Sequence, residues 1–299
     1  MKKIKPSLFF SVLFILIIIF NIYFLRDVTC TKLGDLILDK LLGFNLDCYE
    51  RKNKGVIYPR IKFLGPRFNL IEKKKLVNCP ENSPIIILTG QSNSANFLKS
   101  KHIYNNIHVN FFNDNCYNLS SPVLGAEGEM SSLAPAIAHK INTDKKFIFI
   151  TSGRGGISIE DASISNQDFI TYNIKALNFL KKKNNYLKYF IWIHGEANNG
   201  KTQNYYNDFI KIYNTISKLE QNQKINLIIT QTSLCKNEFD PVLNLIQIEL
   251  SYKFNYFNDI VKTDDLNGDY RYDDCHFNEL GLEEIASRIS KLINKLENE

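Results

Sequence analysis

Pro84-Ile85-Ile86-Ile87-Leu88-Thr89-Gly90-Gln91-Ser92-Asn93 is the stretch from which the rest of the chain can be read. An unbroken aliphatic and β-branched run of this length suits a strand buried on both faces, and such strands belong to parallel sheets covered by helices. Residues 107–112, 147–151, 189–193 and 225–230 repeat the theme, and helical patterns fall between and after them at 132–141, 169–182, 205–219, 241–252 and 279–296. Strand and helix in alternation predict a parallel sheet with helices on both faces. In such open sheets ligands sit beyond the carboxyl ends of the strands, which directs attention to the residues just past each run. Four clusters stand out: Gly90-Gln91-Ser92-Asn93, Gly153-Arg154-Gly155-Gly156, His194-Gly195-Glu196 and, near the end, Asp273-Asp274-Cys275-His276.

The 299 residues are 44% hydrophobic and 23% charged, the balance of a folded protein with one main core, which excludes disorder, collagen and coiled coil. The net charge of +6 comes from scattered lysines, and no basic stripe alternates with aromatics as a nucleic-acid groove requires. The six cysteines never fall within a few residues of one another and no His-Glu-x-x-His pair occurs, so neither a structural nor a catalytic zinc site is expected. The acidic turn 264–269 lacks the first ligand and the closing Glu of a calcium loop. Disulfides and free buried thiols both remain compatible with the cysteine count.

Residues 6–25 carry no charge and are dominated by Leu, Ile, Phe and Val. At about 1.5 Å per residue they span roughly 30 Å, one bilayer core. A cleaved signal peptide is the alternative, but the run exceeds the usual apolar region and no Ala-x-Ala site succeeds it. Lys2, Lys3 and Lys5 crowd one flank, while only Arg26, Lys32 and Lys40 lie within fifteen residues of the other, which leaves the N-terminus cytoplasmic and the remainder outside. The expected organisation is a cytoplasmic tip and transmembrane signal anchor at 1–25, a stalk or strap at 26–83, and a main domain at 84–299.

A serine hydroxyl becomes nucleophilic when a neighbouring base takes its proton, so Ser92 needs a histidine delivered by the fold. His276 is the candidate, because Asp273 three residues earlier can hold the ring nitrogen that faces away from the serine. Acyl transfer also needs donors aimed at the oxyanion, which Gly155 and Gly156 can supply from the backbone and His194 from its ring N–H. Each signal has a plainer reading: a capping serine, a glycine turn, a solvated Asp and His pair, a core histidine, a solvent-facing Arg154. Their coincidence at successive strand ends favours the chemical one.

Gly90-Gln91-Ser92-Asn93, Gly155-Gly156-Ile157-Ser158-Ile159, Trp192-Ile193-His194-Gly195-Glu196-Ala197-Asn198 and Asp273-Asp274-Cys275-His276 occur in an order that resembles the sialate O-acetylesterase-like branch of the SGNH hydrolases, which includes carbohydrate esterase family six. The resemblance covers about residues 84–295. It implies a three-layer, flavodoxin-like α/β sandwich needing no metal or cofactor. Ser92 would be the nucleophile, His276 the base and Asp273 its orienting acid. The oxyanion hole would comprise the Ser92 N–H, Gly155 or Gly156, and His194, with Gln91, Asn93, Glu196 and Asn198 in support. The third block departs from the family, since His194 stands where Gln is usual, bringing a group whose charge varies with pH. Ile157 also stands where Thr is frequent.

The expected protein is a membrane-anchored, outward-facing serine esterase that removes O-acetyl groups from a carbohydrate through an acyl-serine. The same triad would serve an O-acetyltransferase if an acceptor sugar replaced water, and a vestigial glycan-binding protein is the third reading.

Overall fold

Burial on both sides, expected of the 84–89 run, is what the computed structural model shows. It describes residues 46–50, 57–61, 71, 73–164, 168–220, 224–232, 234–236, 238–254 and 260–298. Its strands are β1 (Leu46–Glu50), β2 (Ile57–Ile61), β3 (Leu76–Val77), β4 (Pro84–Gly90), β5 (Val109–Phe112), β6 (Asn115–Asn118), β7 (Ile148–Thr151), β8 (Tyr186–Ile193) and β9 (Asn226–Thr230). The helices are α1 (Leu133–Lys140), α2 (Ile159–Ala162), α3 (Asp168–Lys181), α4 (Tyr205–Ser217), α5 (Pro241–Phe254) and α6 (Glu279–Asn298).

Two compact units are present, Met1–Gly65 and Pro66–Glu299. In the first, β1 and β2 form an antiparallel pair, with Leu46 opposite Ile61 and Glu50 opposite Ile57. The segment expected to cross a membrane, 6–25, lies outside the described residues. Among the described residues no helix is long and apolar enough to do so.

The second unit holds a seven-stranded sheet in the order β3-β6-β5-β7-β4-β8-β9. β5, β7, β4, β8 and β9 are parallel, as expected. Alternation along β4 splits the core: Ile85 and Ile87 pack on one face with side chains of α3, α4 and α5, while Ile86 and Leu88 pack on the other with α1 and α6. This is the three-layer arrangement.

Two features differ from the expectation. β6 turns back antiparallel on β5 through Asn113 and Asp114, both left-handed at φ 46° and 63°, the backbone of a tight hairpin. β3 then pairs with β6, and a Cys79–Cys116 disulfide fastens the segment after β3 to it, so residues 76–79 are joined to the sheet.

β4 ends at Gly90 with φ +135°, where a Cβ would run into the carbonyl of Ile193 on β8. Gly90→Ala is therefore expected to cost about 3 kcal/mol or more in urea unfolding. Leu245→Ala on α5, where the leucine is 66% exposed, should stay within about 0.5 kcal/mol.

Candidate functional site

The chain leaves β4 toward β7 and β5 on one side and returns to build β8 and β9 on the other, so the carboxyl end of β4 is the switch point where a crevice opens in such sheets. Ser92 stands there as the first residue of a short 3₁₀ turn, Ser92–Ser94, and is 6% exposed. The turn is tightly held. Gln91 N–H donates to Ile193 O (2.9 Å), and Ser94 donates to Gln91 O through both its N–H (2.9 Å) and its hydroxyl (2.7 Å). Gln91 Oε1 accepts from the N–H groups of Gly195 (3.1 Å) and Ala197 (3.3 Å), joining the first block to the third.

The Asp273 carboxylate wraps the turn that carries His276. One oxygen accepts from the N–H groups of Cys275 (2.8 Å) and His276 (2.6 Å), and the other lies 2.8 Å from His276 Nδ1. The three-residue spacing thus makes an Asx-type turn that also claims the ring. Burial pushes the Asp273 carboxyl upward, but the hydrogen bonds from His276 and Cys275 outweigh it and hold the group below its ordinary value. The imidazole stacks near Phe97 (centroids 5.8 Å apart) and Tyr272 (5.9 Å). Asn278 then caps α6, accepting from Gly281 N–H (3.1 Å), so the loop is fixed at its exit. It is tied at Cys275 as well, by a disulfide to Cys235 in the loop after β9. Asn93 Nδ2 reaches Glu196 Oε1 (3.0 Å) and the Cys275 carbonyl (3.5 Å), which links the serine's neighbour to the histidine's neighbour.

The second block places Gly155 and Gly156 at the end of β7. Gly156 is left-handed at φ +59° with open space where a Cβ would lie. The Gly155 N–H is occupied, donating to Glu127 Oε2 at 2.7 Å. Arg154 braces the turn, donating to the carbonyls of Gly125 (2.9 Å) and Gly153 (3.2 Å).

His194 corrects an expectation. Its ring is 1% exposed, and Nε2–H donates to the Ile157 carbonyl (2.9 Å) while Nδ1 faces the Tyr205 hydroxyl (3.3 Å). Both nitrogens are committed inside the fold, so no N–H is left for an oxyanion. Burial lowers its pKa to about 3 against the opposing hydrogen bond to Ile157, so the ring stays neutral across the range in which a variable charge was expected. Its backbone carbonyl accepts from Gln247 Nε2 (2.7 Å), Tyr205 (2.9 Å) and Thr232 (3.3 Å). Asn198 is likewise structural: Oδ1 accepts from Ile159 N–H at the start of α2 (2.8 Å) and Nδ2 donates to Glu160 (3.1 Å).

The acidic turn 264–269 meets a cation from the protein itself, since both Asp265 oxygens lie 2.6 Å from the Arg288 guanidinium. Sequence reasoning missed Glu127, Phe97, Tyr272 and the Tyr205, Thr232 and Gln247 group. The paired glycines Gly125 and Gly128 around Glu127 were the one available signal, marking a strained loop. A cleft of about 450 Å³ adjoins the histidine loop, with Lys99, Lys101, Tyr272 and Glu279 in its wall.

No protein-family model matches the chain, and neither does any curated protein. Among solved structures, a protein from Arabidopsis thaliana aligns with a TM-score of 0.56 at 14% identity, over 73% of this chain and 99% of its own, which establishes a shared fold. More remote are a carbohydrate acetylesterase from Xanthomonas citri (TM-score 0.45, 12% identity, 70% of this chain and 55% of that one) and a carbohydrate esterase family 3 protein from Talaromyces cellulolyticus (0.42, 12%, 73% and 99%).

Two outcomes are expected from this geometry. Because the His194 pKa is depressed in the fold, the unfolded chain binds a proton there first. Stability is therefore lost as pH falls from about 6.5 toward about 3. The melting temperature of His194→Gln should decline less over that interval than that of the wild type, and parallel declines would contradict the assignment. Replacing Cys235 and Cys275 together by serine should lower unfolding free energy by about 2–4 kcal/mol, measured by denaturant titration.

Proposed function

We propose that this protein is a serine esterase that removes O-acetyl groups from a carbohydrate. The observation that carries the reading is the Asp273 and His276 pair, 2.8 Å apart at Nδ1, held beside the Ser92 turn through the Asn93 contact to Cys275. No hydrogen bond joins Ser92 and His276 among the described residues, and catalytic hydrogen bonds commonly tighten only when substrate is bound.

In this mechanism His276 Nε2 takes the Ser92 proton as the hydroxyl oxygen attacks the acetyl carbonyl. Asp273 holds Nδ1–H and stabilises the imidazolium. The tetrahedral oxyanion is met by backbone N–H groups of Ser92, which heads its turn and has no partner within it, and of the 155–156 turn. Collapse expels the sugar oxygen, which takes the proton from His276. Water, deprotonated by the same ring, then attacks the acyl-serine; the imidazolium returns the proton to Ser92 Oγ as the ester bond breaks, and acetate leaves. His194 acts here only as a buried strut.

A sugar is favoured as the alcohol by the resemblance of the four blocks. A further sugar of the chain would lie along the cleft beside Tyr272. The apolar run at 6–25 supports anchoring in a membrane with the esterase unit on the far side from the lysine flank.

The test is acetate release from p-nitrophenyl acetate and from an acetylated glycan. Ser92→Ala should lose at least about a thousandfold in kcat/KM. Asp273→Asn should lose roughly a hundredfold, less than a fully buried acid would, because the Asp273 side chain is 41% exposed. Turnover equal to that of Ser92→Ala would overturn the reading, and a burst that awaits an added sugar would make the protein a transferase.

A further inference from the structure

The Gly155 N–H, which the esterase reading assigns to the oxyanion, already donates to a carboxylate. Glu127 Oε2 lies 2.7 Å from it. We propose that Glu127 is a built-in occupant of the oxyanion site, which competes with the substrate and must be displaced at each turnover. The inference rests on the esterase reading and adds a control element to it.

The backbone around Glu127 is pinned to both sides of the candidate site. Glu127 N–H donates to Gly153 O (3.0 Å) in the glycine turn, and Glu127 O accepts from Asn96 N–H (2.8 Å), four residues beyond Ser92. The Asn96 side chain holds the approach to Glu127, accepting from Val123 N–H (2.7 Å) and donating to the carbonyls of Val123 (2.9 Å) and Ala126 (3.2 Å). Only the Glu127 side chain is left to move. The glycine it caps lies against the same ring that stacks near His276: a Cβ on Gly155 would be 3.3 Å from Phe97 and 3.4 Å from Glu127 Oε2. The carboxylate therefore stands at the glycine turn, beside the glycine that faces the Phe97 ring.

An N–H bonded to a carboxylate is in a charge-assisted hydrogen bond, stronger than the one a neutral ester carbonyl would make. When the carbonyl oxygen becomes an oxyanion, two like charges would share one donor, which neither tolerates. Rotation of the Glu127 side chain toward solvent resolves the conflict and leaves the hole formed. Activity is thus restrained by the protein's own acid until the substrate supplies enough contact to displace it.

Glu127→Ala and Glu127→Gln would be compared with the wild type and Ser92→Ala in the full chain. Two readouts are needed: kcat/KM for p-nitrophenyl acetate, and inhibition by phenylboronic acid, whose tetrahedral anionic adduct on serine imitates the oxyanion. Glu127→Ala should raise kcat/KM about tenfold and tighten the boronic acid by a similar factor, the ratio that corresponds to one charge-assisted hydrogen bond lost by the competitor. Glu127→Gln, which can still accept from Gly155 but carries no charge, should fall between the two. It decides the matter if the alanine variant does not fold. Serine-dependent turnover at or below the wild-type rate in a folded variant, with boronic acid affinity unchanged, would overturn the proposal and leave the esterase reading standing. Wild-type turnover no greater than that of Ser92→Ala would overturn both.

Discussion

Everything at the candidate site depends on the parallel pairing of β4 with β7 on one side and β8 on the other. Leu88 aligns with Thr151, and Gly90 with Ile193, so three strands end at nearly one level. The loops that leave them are compelled to meet there. A glycine is required at the end of β4 because the β8 backbone comes so close. Apolar packing on both faces buries this junction. The polar residues just beyond it inherit that rigidity, which is what a preorganised site needs.

The polar groups of the site divide into those that hold the scaffold and those left available. Gln91, Asn198 and His194 spend their hydrogen bonds on backbone groups of neighbouring blocks. His276 retains one ring nitrogen beyond the one that Asp273 takes. Asn93 does both, bridging to Glu196 and Cys275 through its amide nitrogen while its oxygen is unpaired. A buried cavity of dipoles fully satisfied by the protein would have nothing to offer a polar ligand. Two of the buried side-chain oxygens without a hydrogen-bond partner, Asn93 Oδ1 and Glu196 Oε2, belong to the first and third blocks.

The parallel strands were legible because a strand buried on both faces must be apolar at every position, a signal that sequence carries directly. The Asp273 and His276 contact was legible for a different reason: its partners are three residues apart, so a turn alone can form it. The orientation of His194 was not. Which way its N–H points is decided by Ile157 and Tyr205, residues of other segments that no spacing rule connects to it. The same holds for Glu127, whose loop has no periodicity and whose role depends on a hydrogen bond to a glycine 28 residues away. The β5–β6 hairpin escaped notice because four residues, Asn115–Asn118, are too short for alternation to register, although Asn113-Asp114 is a pair suited to a left-handed turn. Cysteine pairing required the fold itself to bring Cys235 and Cys275 together.

The contact between Asn93 and Cys275 spans 182 residues of chain. The proposed nucleophile follows the first strand of the parallel set, and the proposed base comes just before α6. During synthesis the serine turn and most of the sheet can therefore be in place while the base is still unmade. A chain made only as far as β9 would hold the Ser92 turn without its proposed base. The slow, long-range closure typical of parallel topologies then becomes a timing device: the proposed pairing of Ser92 with His276 can form only after β9 and the turn 273–276 have been made.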